Sequence, residues 1–246
     1  MKVHFLAPHP LFGRVNSRLS LGHQTRSPYY WWWAYLRRNE DYLACCRRAG
    51  KGKLAGLYAD FGDVLNDNFH AWWTTDKRGA RLFGEKPLPL NLKELKDSAE
   101  WDAEWSKDSV MVIAVPLNLS KRHLESKFKQ LLKARHNGRR GRKKASEGYV
   151  STAKYRLHRP VSTPTLEIQL AVYDAVMAKR RGESFKTLAD IGTDMKLVRT
   201  AMPRAGDHPH DAAQKRNIMA ATVSRHFRAA ERMVANVVKG EFPNSR

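Results

Sequence analysis

RNIMAATVSRHFRAAERMVANVVKG, Arg216 to Gly240, sets Met219, Val223, Phe227, Ala230, Val234 and Val237 three or four residues apart, which is the period of one helical face. Thr222, Ser224, Arg225, Arg228 and Arg232 fall between them, where phosphate or base edges can be met, and Arg216 opens the run. This reading makes the stretch a long amphipathic helix and the chain mainly α. Just upstream, TPTLEIQLAVYDAVMAKRRG, from Thr163, aligns Leu166, Leu170, Tyr173 and Met177. It closes on Lys179, Arg180, Arg181 and Gly182, the cations and glycine that suit a helix C-terminus. Next, SFKTLADIG reads as a short helix capped by Ser184, with Phe185, Leu188 and Ile191 inward and Ala189 small enough for a close crossing. That is the pattern of the first half of a helix-turn-helix. Its second half has two readings. One runs directly on through DMKLVRTAM, with Met195, Val198 and Met202 inward. The other treats Pro203 to Asp211 as a loop before the helix from Arg216. The cleaner stripe favours the second.

The first 28 residues carry Pro, Gly, Ser and Arg without periodicity and read as an irregular arm. From Pro28, YYWWWAYLRRNEDYLACCRRAG predicts one helix ended by Gly50 and Gly52. Its five successive aromatics, Tyr29 to Trp33, surround the helix, so they anchor a core against a second element in preference to stacking on bases. LYADFGDVLNDNFHAWW supplies that element: Phe69, Trp72 and Trp73 form one face behind the N-cap candidates Asn66, Asp67 and Asn68. Asp60 and Asp63 are the carboxylate pair that a Mg²⁺ nuclease would use, but their setting around Gly62 favours capping. Residues 84 to 109 read as linker or edge structure with a short helix around Lys93 to Trp105. VMVIAVPL, Val110 to Leu117, is the one predicted strand, with a partner in LYADF, in GARLF (Gly79 to Phe83) or in another chain. The expected fold is mainly α with a small β element. Its divisions are an arm over 1–28, an aromatic-rich helical domain over 29–117, a basic helix and loop over 118–160, and a helix-turn-helix-like domain over 161–246.

Charge directs the functional reading. Residues 121 to 160 hold fourteen Lys and Arg against two acids, a net +12 of the chain's +21. SKRHLESKFKQLLKARH predicts a helix capped by Ser120, with Leu124, Phe128, Leu131 and Leu132 on one stripe and Lys121, Arg122, Lys129, Lys133 and Arg135 on the other faces. Asn137 and Gly138 end it, and a loop follows with Arg139, Arg140, Arg142, Lys143 and Lys144, then Lys154 and Arg156; Tyr149 and Tyr155 either stack on bases or pin the loop to the core. Cations at this density bind polyanions by releasing counterions, whereas a surface made for solubility mixes both signs. With 42% hydrophobic residues over 246, the chain also has enough apolar content for a core. It carries no apolar run near 18 residues, and Pro8 and Pro10 interrupt the N-terminus, so neither membrane insertion nor a signal peptide is expected. Adjacent Cys45 and Cys46 suit buried reduced thiols, and no histidine spacing suggests zinc. No metal, cofactor or catalytic residue is expected.

WWAYLRRNEDYLACC resembles the W-x-F-L-R-R-N-P-D-Y core of a short transcriptional-regulator-like domain of bacterial mobile elements, with Glu40 where that pattern carries proline. YADFGDV and FHAWW resemble segments of an uncharacterised bacterial family, and TVSRHFRAAERM is similar to recognition helices of bacterial helix-turn-helix regulators. The resemblance covers short segments only. It implies a bacterial or mobile-element regulator with no assigned reaction; with no signal peptide expected, the chain is placed in the bacterial cytoplasm, associated with the nucleoid, and no enzymatic activity is expected. The favoured expectation is duplex DNA bound through the C-terminal helix and the basic loop. The alternative is a non-catalytic RNA- or DNA-binding subunit of a larger mobile-element or antiviral nucleoprotein complex, with the aromatic half docking a protein partner or a second copy.

Overall fold

The computed structural model describes residues 4–14, 16–85, 94–97, 99, 110–135, 151–159 and 162–246. It is mainly helical, with one small two-stranded antiparallel sheet. That sheet pairs β1 (Gly13–Arg14) with β2 (Ser17–Arg18) inside the lead-in expected to be irregular. Gly13 permits the tight approach: its φ is +78°, and a Cβ there would stand 2.3 Å from the Ser17 carbonyl oxygen. Phe5, Ala7 and Phe12 pack on the aromatic core, and the Ala7 N–H reaches the Tyr29 hydroxyl at 3.4 Å. Scattered apolar side chains thus tie the lead-in down without any helical period. A single turn, α1 (Leu21–Gln24), completes it.

The helix predicted from Pro28 to Gly50 is two helices, α2 (Pro28–Leu36) and α3 (Glu40–Arg47). Asn39 makes the break. Its backbone is extended, its Oδ1 accepts the Tyr42 N–H at 2.9 Å, and its Nδ2 donates to the Val234 carbonyl at 2.9 Å. A buried side chain that caps one helix and satisfies the backbone of another outweighs the modest gain of one continuous helix. Glu40 and Asp41 then fall in the first turn of α3, where the helix dipole favours acids. Three short helices follow: α4 (Ala55–Phe61), α5 (Phe69–Thr74), capped by Asn68 through the Ala71 N–H at 2.9 Å, and α6 (Arg78–Phe83). Tyr29, Trp31, Trp32 and Trp33 are all buried, which is the core-anchor reading of the aromatic run.

Residues 87–151 form a separate unit, in which α7 (Lys121–Arg135) is the described helix. The strand expected over Val110 to Leu117 is not formed: these residues join no ladder, and Val112 and Leu117 are 54% and 89% exposed. β-branched residues form strands when a neighbouring strand receives them. The two segments nominated as partners lie instead in α4 and α6. The helix expected around Lys93 to Trp105 falls largely outside the described residues, as does Tyr149.

In the other unit the chain continues through α8 (Thr163–Arg180), α9 (Leu188–Asp194) and α10 (Pro209–Val237). Thr187, rather than Ser184, caps α9. Its hydroxyl accepts the Asp190 N–H at 3.2 Å while the Asp190 carboxylate accepts the Thr187 N–H at 2.8 Å, a reciprocal capping box. Phe185 therefore lies ahead of the helix and, contrary to expectation, is exposed. Ala189 and Gly192 form the close crossing onto α10: a Cβ at Gly192 would stand 3.1 Å from both Met219 Cβ and Val223 Cγ2. DMKLVRTAM does not continue as a helix and holds only a 3-10 turn, Arg199–Ala201. A non-helical stretch does precede the long helix, but α10 starts earlier than Arg216, at Pro209 with His208 as its cap, so Pro209 to Asp211 of the expected loop are helical. Residues 195–208 connect α9 to α10, a longer link than the three or four residues of a helix-turn-helix.

The core crosses the boundary expected between the aromatic and C-terminal domains. Trp32, Tyr35 and Leu36 share one cluster with Leu166, Leu170, Met233, Val234, Val237 and Phe242. The Tyr35 hydroxyl donates to the Leu166 carbonyl at 3.0 Å, and Arg38 holds Asp174 in a fork at 3.1 and 2.7 Å. A helix that is apolar all round must be covered on every side, and the stripe of α10 supplies part of that cover.

Candidate nucleic-acid interface

α10 has two unlike sides. Met219, Val223, Phe227, Ala230, Met233, Val234 and Val237 are buried, whereas Arg216, Arg225, Arg228 and Arg232 are exposed. Thr222 belongs to the buried side, three residues after Met219 on the same stripe, so it is removed from the expected contact set. Ser224 is half-buried and its hydroxyl donates to the Ala220 carbonyl at 2.9 Å, a bond within its own helix. Two of the exposed arginines are held at the backbone: Arg228 Nε donates to the Ser224 carbonyl at 3.3 Å and Arg232 to the Ser245 carbonyl at 3.3 Å. Neither they nor Arg225 and Arg216 pair with an acid among the described residues. A guanidinium has five N–H donors, so one backbone bond leaves most of its fork facing solvent.

Beside this face, α8, the start of α9 and α10 enclose an open groove of about 480 Å³ with Val176, Leu188 and Phe227 as its apolar floor and Lys179, Arg180 and Arg228 around it. The Arg180 guanidinium lies 4.4 Å above the Phe227 ring and contacts Glu231 at 3.3 Å, while Tyr173 stacks on Phe227 at 5.6 Å. Lys179 and Arg180 read in the sequence only as helix-terminal cations. Their place in a groove depends on the crossing of two helices separated by residues 181–208, which no local period encodes.

Residues 152–159 strap the end of the basic segment to the aromatic core. Tyr155 donates its backbone N–H to the Leu82 carbonyl at 3.0 Å, and its ring meets Phe61 edge-on at 4.7 Å, so it pins the segment. Buried Glu85 accepts the Thr152 N–H and hydroxyl at 2.7 and 2.9 Å. Lys154 pairs with Asp60 at 2.6 Å, and the Tyr155 hydroxyl donates to the same carboxylate at 2.7 Å. Burial alone would raise the Asp60 pKa, but these two hydrogen bonds hold it below the ordinary carboxylate value. Lys154 is therefore committed within the fold instead of to phosphate, whereas Arg156 is exposed. Asp63 accepts the Leu65 N–H at 2.7 Å in a local turn, so Asp60 and Asp63, for which the sequence favoured capping over a Mg²⁺ pair, serve separate structural ends. Cys45 and Cys46 are buried free thiols, and the described residues contain no cluster of ligating side chains placed to hold a metal ion.

In the second unit, Lys121, Arg122, Lys129, Lys133 and Arg135 of α7 are exposed, opposite half-buried Leu124, Phe128 and Leu132. The Ser120 hydroxyl accepts the His123 N–H at 3.4 Å, as its expected capping role requires. Arg139, Arg140, Arg142, Lys143 and Lys144 lie outside the described residues. No helix of the described residues is long and apolar enough to cross a membrane.

His226 stands between Arg225 and Phe227 on α10, and burial followed by the Arg225 charge lowers its pKa from the ordinary 6.5. The fold favours the neutral ring. Its contribution to stability is thus complete above about pH 6.5 and is lost as pH falls through the lower folded-state value. Thermal midpoints measured from pH 7.5 downward should decline less steeply for His226→Gln than for the parent chain. Parallel declines would show that the ring does not sense folding.

No protein-family model matches the chain, and no curated protein or solved structure matches it.

Proposed function

We propose that the chain is a nucleic-acid-binding protein, a bacterial or mobile-element regulator that contacts duplex DNA through α10 and the basic residues 139–144. The observation carrying this reading is the row of Arg225, Arg228 and Arg232. They are spaced three and four residues apart on the solvent side of a long helix, with none of the three paired to an acid among the described residues. A helix of this kind fits a major groove about 12 Å wide, and a guanidinium fork matches either a phosphate or the O6 and N7 edge of guanine. The burial of the opposite face fixes the helix, so the arginines are presented from a rigid support and not from a mobile tail. The resemblance of TVSRHFRAAERM to recognition helices points the same way. Lys121, Arg122, Lys129, Lys133 and Arg135 of α7, with the cations of residues 139–144, add sequence-independent attraction by counterion release. The alternative of a non-catalytic subunit gripping RNA or single strands shares this electrostatic basis and differs in the strand form preferred.

Sequence readout and charge are separable. Once a preferred duplex has been selected, Arg225→Ala should reduce discrimination between that site and a scrambled duplex by roughly 5- to 100-fold, the worth of one bidentate base contact. Competition binding at fixed salt measures this. An equal loss on both sequences would move Arg225 from readout to phosphate contact.

A further inference from the structure

Phe185 is 96% exposed, yet its loop is held on both sides. On one side, Gly182 adopts φ +77° at the end of α8, and the Glu183 N–H closes back onto the Ala178 carbonyl at 2.9 Å. On the other, the Thr187–Asp190 capping box starts α9. Between them, the Lys179 ammonium donates to the Lys186 carbonyl at 2.9 Å, tying the residue after Phe185 to the wall of the groove between α8 and α10. Phe185 is also three residues from Leu188 of the groove floor, hence within about 11 Å along the chain. A single exposed aromatic is ordinary on a protein surface. This one is displayed by a braced loop beside a groove with an apolar floor and a basic rim. The rim's acid, Glu231, is already bridged to Arg180, while Lys179 and Arg228 meet no carboxylate among the described residues.

We infer that Phe185 and this groove form a seat for an unpaired nucleotide, with the base face stacked on the Phe185 ring and the adjoining phosphate held by Lys179 and Arg228. The chemistry is that of single-strand binding surfaces, in which a flat aromatic takes any base and a cation tracks the backbone. The inference rests on the proposed nucleic-acid function and specifies that the chain engages an opened or single-stranded segment as well as duplex.

The test uses the full chain with two probes, a single-stranded thymidine oligonucleotide and a blunt duplex. Phe185→Leu keeps apolar bulk without the aromatic face; Phe185→Tyr keeps the face. Because the side chain is exposed, neither change should disturb folding. Phe185→Leu should weaken single-strand binding by roughly 5- to 100-fold while Phe185→Tyr stays close to the parent and duplex binding is unchanged. Single-strand affinity equal to the parent for Phe185→Leu, with duplex binding intact, would overturn the nucleotide seat and leave the wider function standing. A loss confined to the duplex would also overturn it, in favour of a wedge between stacked base pairs. Failure of the unmodified chain to bind either probe would reject both the seat and the function beneath it.

Discussion

Replacing Arg139, Arg140, Arg142, Lys143 and Lys144 together by glutamine should flatten the salt dependence of duplex binding by up to about 4 to 5 in the slope of log K against log salt. Each phosphate neutralised on duplex DNA contributes about 0.9 to that slope, and five cations leave at once. The loss should be the same on every sequence, because a phosphate carries no base identity. That uniformity separates these five residues from Arg225, whose removal is expected to act on one sequence more than on another. Binding isotherms at several salt concentrations for the parent and the five-fold variant measure the difference. An unchanged slope would mean that these cations do not meet phosphate, and the largest concentration of charge in the chain would need another role.

The largest effect on stability is expected at Trp32. Its side chain is fully buried and its ring contacts Phe61, Phe83, Tyr155 and Phe242, drawn from four separate parts of the chain. Trp32→Ala removes the transfer free energy of an indole and leaves a cavity, a cost of about 3–5 kcal/mol. Against a typical total of about 5–15 kcal/mol, this is a large fraction. It should lower the thermal midpoint by about 10 °C for a chain of this size. Trp32→Phe retains most of the volume and should cost less. Because Trp32, Leu166, Val234 and Val237 lie in one cluster, Trp32→Ala should lower a single cooperative transition that includes α8 and α10. A separate, unshifted transition of the C-terminal helices would contradict the shared core.

The helical stretches were legible where the period ran long. The stripe of α10 and the aligned leucines of α8 follow directly from residue spacing, and the cap of α5, Asn68, is one of three adjacent candidates the sequence offers. The break at Asn39 was not legible, because an asparagine on a helical pattern reads as a surface position until its partner, the Val234 carbonyl nearly two hundred residues away, is known. The strand over Val110 to Leu117 was misread for the converse reason: its composition is right, but strand formation depends on a neighbour that the nominated segments, folded as helices, do not provide. Within the candidate site, Arg225, Arg228 and Arg232 could be placed on the outer face by counting alone, and the same counting, applied to Met219, puts Thr222 inside. Lys154 looked free because its acid, Asp60, is distant in sequence. The groove needed the crossing of α8 and α10, and Phe185 looked like core because the cap was taken to be Ser184 instead of Thr187.

We propose that this chain binds nucleic acid, duplex DNA in preference to single strands or RNA. The most direct test is the retention of randomised duplex DNA, single-stranded DNA and structured RNA by the full chain at one near-physiological salt concentration, with the retained molecules sequenced. Retention of duplex enriched in a short motif is expected, accompanied by weaker capture of single strands. Retention of RNA or single strands without any duplex motif would transfer the function to a subunit of a nucleoprotein complex, and retention of none of the three would contradict the account outright.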